Sequence, residues 1–310
     1  MTSIIVHSAM GAESHLDASI TPENKEYTNG SPIALRLSVE NKGSDSTTIL
    51  FNYPGFMARG EGGLDIKING LEERLKINSA QENREIEGDE GRIPTIKIGP
   101  KDMFSVNIYL NRYLREVPNG IIKVSWAFTP TLSDGVLSKT ITGDFSITVN
   151  KRKDGEIDDF TELVNGARSG SYWGKRSAIE GLISNNSAAV IPSLYELNGM
   201  SLQEYGIPAL FKFIKSPGVN AAILEQLNSK RQQAVTTVLQ EGSSVNDFAI
   251  PTDKITFLLN EKNEVISNAV WIYLKENKNE STRETLMMLK GSNEPSIVKN
   301  ATTILESKVK

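Results

Sequence analysis

The feature that most constrains this chain is a change of hydrophobic period between about residues 150 and 168. Before it, Ile33, Leu35, Leu37 and Val39 alternate with Ala34, Arg36, Ser38 and Glu40. A period of two puts one face of an extended strand in a core and the other in water. The alternation recurs at Phe104, Val106, Ile108 and Leu110, at Ile122, Val124, Trp126 and Phe128, and at Phe145, Ile147 and Val149. Leu64, Ile66 and Ile68 run into Asn69-Gly70, with Leu75 and Ile77 following, which is the pattern of a hairpin whose turn needs two positive φ values. Roughly eight or nine strands are expected from residue 17 to residue 150, and half-buried strands in that number close most economically as two packed antiparallel sheets.

After residue 168 the period becomes helical, and one helical phrase is written twice. Leu258-Leu259-Asn260-Glu261-Lys262-Asn263-Glu264 leads to Ile266 to Leu274, and Met288-Leu289-Lys290-Gly291-Ser292-Asn293-Glu294 leads to Val298 to Glu306. A helix ending in an Asn-Glu turn and answered by a second helix cannot bury its apolar stripe alone, so neighbouring units must cover it. The expected architecture is therefore an antiparallel β-sandwich followed by an all-α domain. Its parts are a tail over 1–16, a sandwich over 17–150, a charged linker over 151–158, and stacked helices over 159–310.

Composition excludes several chemistries. The 310 residues include no cysteine, which removes disulfides, thiolate nucleophiles and cysteine-bound zinc. The two histidines, His7 and His15, both stand ahead of the first strand, so a Ser-His-Asp triad or a histidine-bound metal in the body of the protein is not expected. A net charge of -4 without a basic stripe argues against nucleic acid as partner. No apolar run is long enough to span a bilayer. The opening Ile4-Ile5-Val6 followed by small residues is similar to the end of a secretory signal but lacks a basic n-region. A periplasmic or secreted location and a cytoplasmic one both stay open.

Two resemblances can be named. Pro32 to Asn41 followed by Lys42-Gly43-Ser44, and Val117-Pro118-Asn119-Gly120-Ile121-Ile122-Lys123-Val124, resemble the opening and closing strands of an immunoglobulin-like sandwich. Only Gly120 matches that family's Gly-x-Tyr-x-Cys pattern, since Ile122 and Val124 stand at its tyrosine and cysteine positions. Trp173 to Leu182 resembles the inner-helix phrase of HEAT-type repeats. There a small alanine allows close helix contact, and an aliphatic residue follows four positions later. The phrase recurs around Ala178, Ala234, Ala269 and Ala301, with Leu182, Val238, Tyr273 and Leu305 as partners on the same helix face. The longer first interval must hold an irregular unit: Ala188 to Leu197, Glu204 to Ile214 and Asn220 to Leu227.

Candidate binding residues follow from comparing these phrases. Two positions after each alanine stand Glu180, Thr236, Trp271 and Thr303, off the core face, so this position is expected to be exposed and Trp271 to project as an anchor for a partner protein. Burial of Trp271 against the next helix or the β domain is the alternative, since most tryptophans are largely buried. Tyr53 and Phe56 flank the Pro54-Gly55 turn at an expected sandwich end, where loops often bind ligands, though Phe51 and Tyr53 are better read as strand or core residues. Glu85, Glu87, Asp89 and Glu90 belong to an acidic segment that would suit a basic partner, or would simply be a solvated loop. Asp154, Glu156, Asp158, Asp159 and Glu162 do not keep the spacing of a calcium loop, and Asp158 or Asp159 is better placed to cap a helix. No catalytic residue, metal or cofactor is expected. The function expected is therefore non-catalytic protein binding, with an inhibitor or immunity-type protein that occludes a toxin or enzyme as its concrete form. The rival is a carboxylate-dependent glycan hydrolase, which needs only two acids across a cleft.

Overall fold

The computed structural model describes residues 15–50, 63–68, 95–112, 117–133, 135–153, 160–200 and 202–308. Strands occupy the N-terminal part, and ten α-helices the C-terminal part, of these described residues. In the first sheet β1 (Leu16–Pro22), β3 (Ala34–Asn41) and β7 (Met103–Tyr109) lie in the order β1-β3-β7. A second has the order β2-β10-β8-β5, from β2 (Glu26–Thr28), β5 (Gly63–Ile68), β8 (Gly120–Thr129) and β10 (Ile141–Asn150). The third joins β4 (Thr47–Leu50) to β6 (Thr95–Ile98) on one side and β9 (Thr131–Leu132) on the other.

The alternation explains which side chains meet. Leu35, Leu37 and Val39 of β3, Val106 and Ile108 of β7, Ile66 of β5, and Ile122, Val124 and Phe128 of β8 are all buried and share one apolar cluster. Arg36 between them points to water, where it pairs with Glu23 at 3.1 Å. The partner of β5 is β8, with Ile66 opposite Trp126. The expected Asn69-Gly70 turn lies outside the described residues. The β2–β10 pairing is parallel, with Tyr27 beside Val149, an arrangement that no local pattern announces. On β10, Gly143 stands opposite Trp126, and a Cβ there would come within 2.6 Å of the indole ring, so only glycine lets the strand pass the tryptophan.

Buried asparagines close the loops of this part. Asn41 donates through Nδ2 to the carbonyls of Asp45 at 2.7 Å and Ile98 at 3.1 Å. Asn111 accepts the Ile33 N–H at 2.6 Å and donates to the Ser31 carbonyl at 3.0 Å. Each satisfies main-chain groups that the strands cannot pair themselves.

The helices are α1 (Thr161–Ser169), α2 (Tyr172–Ile183), α3 (Ile191–Gly199), α4 (Gln203–Phe211), α5 (Val219–Glu225), α6 (Gln232–Ser243), α7 (Thr252–Asn260), α8 (Glu264–Glu276), α9 (Glu280–Leu289) and α10 (Pro295–Lys308). The repeated phrase thus forms two helix–turn–helix pairs, α7–α8 and α9–α10. The irregular stretch between the first two alanine phrases holds α3, α4 and α5. Packing runs α4 on α6, α6 on α8 and α8 on α10, with α7 on α8 and α9 on α10. The sequence of α8 shows why it forms. Asn263 caps it by accepting the Ile266 N–H at 3.2 Å, Glu264 sits in the first turn and Lys275 in the last, and Ile266, Ala269, Val270, Tyr273 and Leu274 form its buried stripe.

The chain divides into two compact units. One takes the described residues within Met1–Glu156 together with Ser169–Asn185, and the other takes those within Ile157–Arg168 and Asn186–Lys310. Helix α2, which carries the first alanine phrase, therefore belongs with the strands and lies on β7. Trp173 meets Phe104 edge to face, with ring centroids 5.9 Å apart, and the Ser177 hydroxyl donates to the Asn107 carbonyl at 3.0 Å.

Candidate binding site

Of the four positions expected to face outward, one does not. Glu180 is only 4% exposed, because every residue of α2 from Ser177 to Ile183 is buried and that stretch has no outward face. It lies near the phenol of Tyr109, whose pKa is pushed up to about 12. Burial is the main cause, a side-chain hydrogen bond with Ser177 opposes it, and the charges of Glu23 and Glu180 add to it. Glu180 is thus part of an interior polar group.

The other three positions lie on successive packed helices. Ala234, Ala269 and Ala301 are all buried, and with them in register the same neighbours face outward on α6, α8 and α10. One position before the alanine, Gln233, Asn268 and Asn300 are exposed; six after it, Gln240, Lys275 and Ser307 are exposed. Between these rows stand Thr236 and Trp271, both half-buried, and Thr303, exposed. Ile272 beside Trp271 is 51% exposed, which gives the polar face an apolar centre on α8. Tyr53, Phe56, Glu85, Glu87, Asp89 and Glu90 lie outside the described residues.

The α8–α9 turn builds a second feature. Asn277 is fully buried, and its Nδ2 donates to the carbonyls of Gly242 at 2.7 Å, Val245 at 3.1 Å and Phe248 at 3.2 Å. Its Oδ1 accepts from the Asn279 N–H at 2.8 Å and the Thr282 hydroxyl at 3.0 Å. Asn279 then caps α9 by accepting the Ser281 N–H at 3.0 Å and donates to the Asn246 carbonyl at 2.8 Å. With the turn held, one face of α9 and the C-terminal ends of α8 and α10 line an open cleft of about 1060 Å³. Five cations line it, Lys275, Lys278, Arg283, Lys290 and Lys308, against three carboxylates, Glu276, Glu280 and Glu306. Met287 and Leu305 give it apolar wall.

The charges of the cleft are only loosely neutralised. Arg283 lies 3.8 Å from Glu280 and Lys275 3.5 Å from Glu276, both exposed pairs of the kind worth roughly 0–1 kcal/mol. Lys278 and Lys290 have no ion pair among the described residues. Lys308 donates to the Asn277 carbonyl at 2.8 Å, and burial pulls its pKa below the ordinary lysine value while Glu276 pulls the other way. Sequence reasoning passed over this cleft because its cations are interleaved with glutamates. The available signal was the 3-4-3 spacing of Glu280, Arg283, Met287 and Lys290, which puts all four on one face of α9.

Elsewhere the structure is plain. His15 is exposed at the start of β1, and its carbonyl accepts the Lys42 N–H at 2.8 Å. Among the described residues no group of three or more His, Cys, Asp or Glu side chains is placed to hold a metal ion, and no helix is long and apolar enough to cross a membrane.

No family model and no curated protein matches the chain. Among solved structures it is similar to the sporulation control protein Spo0M of Bacillus subtilis, with 13% identity, 49% of this chain and 54% of that one covered, and a TM-score of 0.23. It is also similar to the native α2-macroglobulin of Escherichia coli, at 10% identity and TM-score 0.25, covering 94% of this chain and 25% of that one. A Salmonella α2-macroglobulin reacted with methylamine gives 9% identity and TM-score 0.24, with 96% and 25% covered. The chain spans about half the length of the first and a quarter of the other two.

Proposed function

We propose that this chain is a non-catalytic protein-recognition protein. It would join an immunoglobulin-like sandwich to HEAT-like stacked helical hairpins, and its concrete form would be an inhibitor or immunity-type protein that occludes a toxin or enzyme. The observation that carries the reading is the outward row on α6, α8 and α10, in which Trp271 stands between Thr236 and Thr303 with exposed amides on one side. A half-buried indole set on a rigid helix and ringed by polar side chains is the arrangement in which binding energy concentrates at protein interfaces. Recognition of this kind needs shape and hydrogen-bond donors, and no reactive group.

The test is capture of a stoichiometric partner from the native source by the tagged full chain, followed by titration of that partner against Trp271→Ala. Loss of an anchor of this type costs about 2 kcal/mol or more, roughly thirtyfold in Kd. Unchanged affinity in a folded Trp271→Ala variant would remove this face from the interface. Turnover of a polysaccharide by the purified chain would overturn the non-catalytic reading itself.

A further inference from the structure

We infer that the cleft lined by one face of α9 and the C-terminal ends of α8 and α10 binds an acidic peptide segment carrying an apolar side chain. This rests on the reading of the chain as a protein-recognition protein and deepens it. It also assigns a partner charge opposite to the one suggested by the acidic segment Glu82 to Glu90.

Three observations carry it. The chain as a whole has a net charge of -4, yet this cleft gathers five cations against three carboxylates, so it is locally positive on an acidic protein. Two of those cations, Lys278 and Lys290, have no ion pair among the described residues, and they lie on the α8–α9 turn and at the end of α9, on the rim of one cavity. Met287, 58% exposed, and Leu305 lie among the charges, and an exposed methionine is a polarizable, adaptable contact for an apolar side chain. At about 1060 Å³ the cleft is at the upper end of small-molecule pockets, about 300–1000 Å³, and suits several residues of a peptide better than one carboxylate. The three glutamates disfavour a nucleic-acid backbone, whose unbroken row of phosphates would meet Glu276, Glu280 and Glu306 as well as the cations. A peptide spaces its charges and can place carboxylates only where cations wait.

The test uses the full chain and a short fluorescein-labelled peptide rich in Asp and Glu with one central Leu, read by fluorescence anisotropy. Saturable binding is expected that weakens with added salt and falls at least about tenfold in the Lys278→Glu, Lys290→Glu double variant. Lys299→Glu, on α10 but outside the cleft, should leave it unchanged. A lysine-rich peptide of the same length should gain affinity for the double variant, which guards against a loss caused by misfolding. Absence of saturable binding, equal binding by the double variant, or displacement by an oligonucleotide at equal charge concentration would overturn the proposal. So would binding that tracks self-association of the chain, since a second copy would then be the occupant. Failure here with Trp271-dependent partner capture intact would sink the cleft alone, and loss of both would sink the recognition reading.

Discussion

The side-chain amide of Asn277 faces three main-chain carbonyls, that of Gly242 in the last turn of α6 and those of Val245 and Phe248 just after it, where the chain leaves helical geometry. Replacing it with leucine would take one hydrogen bond from each of those carbonyls, leaving them the Val245 N–H, the Phe248 N–H and the Tyr273 hydroxyl, and would leave the Asn279 N–H without its acceptor. Asn277→Leu is therefore expected to cost about 2–4 kcal/mol in urea denaturation, since five hydrogen bonds at a buried place are lost, each worth roughly 0.5–1.5 kcal/mol net, and the site relaxes in part. A loss below 1 kcal/mol would show that water replaces the amide at no great cost. None of this was legible locally. In sequence Asn277 sits in Lys275-Glu276-Asn277-Lys278-Asn279-Glu280, which has the look of a solvated turn, and the groups that bury it lie about thirty residues earlier. Glu180 teaches the same lesson, since its charge argued for exposure and it is buried with the rest of its stretch of α2.

Helices α6 and α8 meet where α6 has a glycine. A Cβ on Gly242 would lie 2.5 Å from the ring of Phe248, which is itself fully buried and stacked edge to face on Phe211 and Tyr273, with centroids 4.9 and 6.5 Å away. The Tyr273 hydroxyl completes the joint by accepting the Ile250 N–H at 3.1 Å. Alanine would raise the helix propensity of α6 by about 1 kcal/mol but overpack a rigid ring at a cost of about 1–3 kcal/mol. Gly242→Ala is expected to lower the urea midpoint with an unchanged m-value, and a raised midpoint would mean that Phe248 has room to turn. The alanine phrases themselves were readable as helices because a 3.6-residue period is a local property. Which unit each helix joins was not. The phrase around Ala178 is as regular as the others, yet the aromatic edge of Trp173 and the hydroxyl of Ser177 commit it to β7.

Across the whole molecule, buried phenols couple stability to alkaline pH. Tyr109 is raised to about 12, and burial also raises Tyr27 and Tyr273 above the ordinary tyrosine value of 10.0. The folded chain then holds these protons more tightly than the unfolded chain. The stability is fully present below pH 10 and is lost as pH rises from the unfolded pKa through the folded one. For Tyr109 alone the decline is about 1.4 kcal/mol per pH unit between about pH 10 and 12. Urea titrations across this range, with tyrosinate absorbance as a second signal, should show a shallower fall in Tyr109→Phe. A stability independent of pH there would refute the coupling. The order of strands then helices, the inward face of the longer strands β3, β5, β7, β8 and β10, and the alanine-centred helices follow from the sequence, since all of these depend on side-chain periods within a few residues of one another. Only the tertiary structure decided the parallel β2–β10 pair, the transfer of α2 to the strand unit, the burial of Asn277 and Glu180, and the gathering of lysines from three helix ends into one basic cleft. Each of those is set by contacts between distant stretches, whose partners no local period can name.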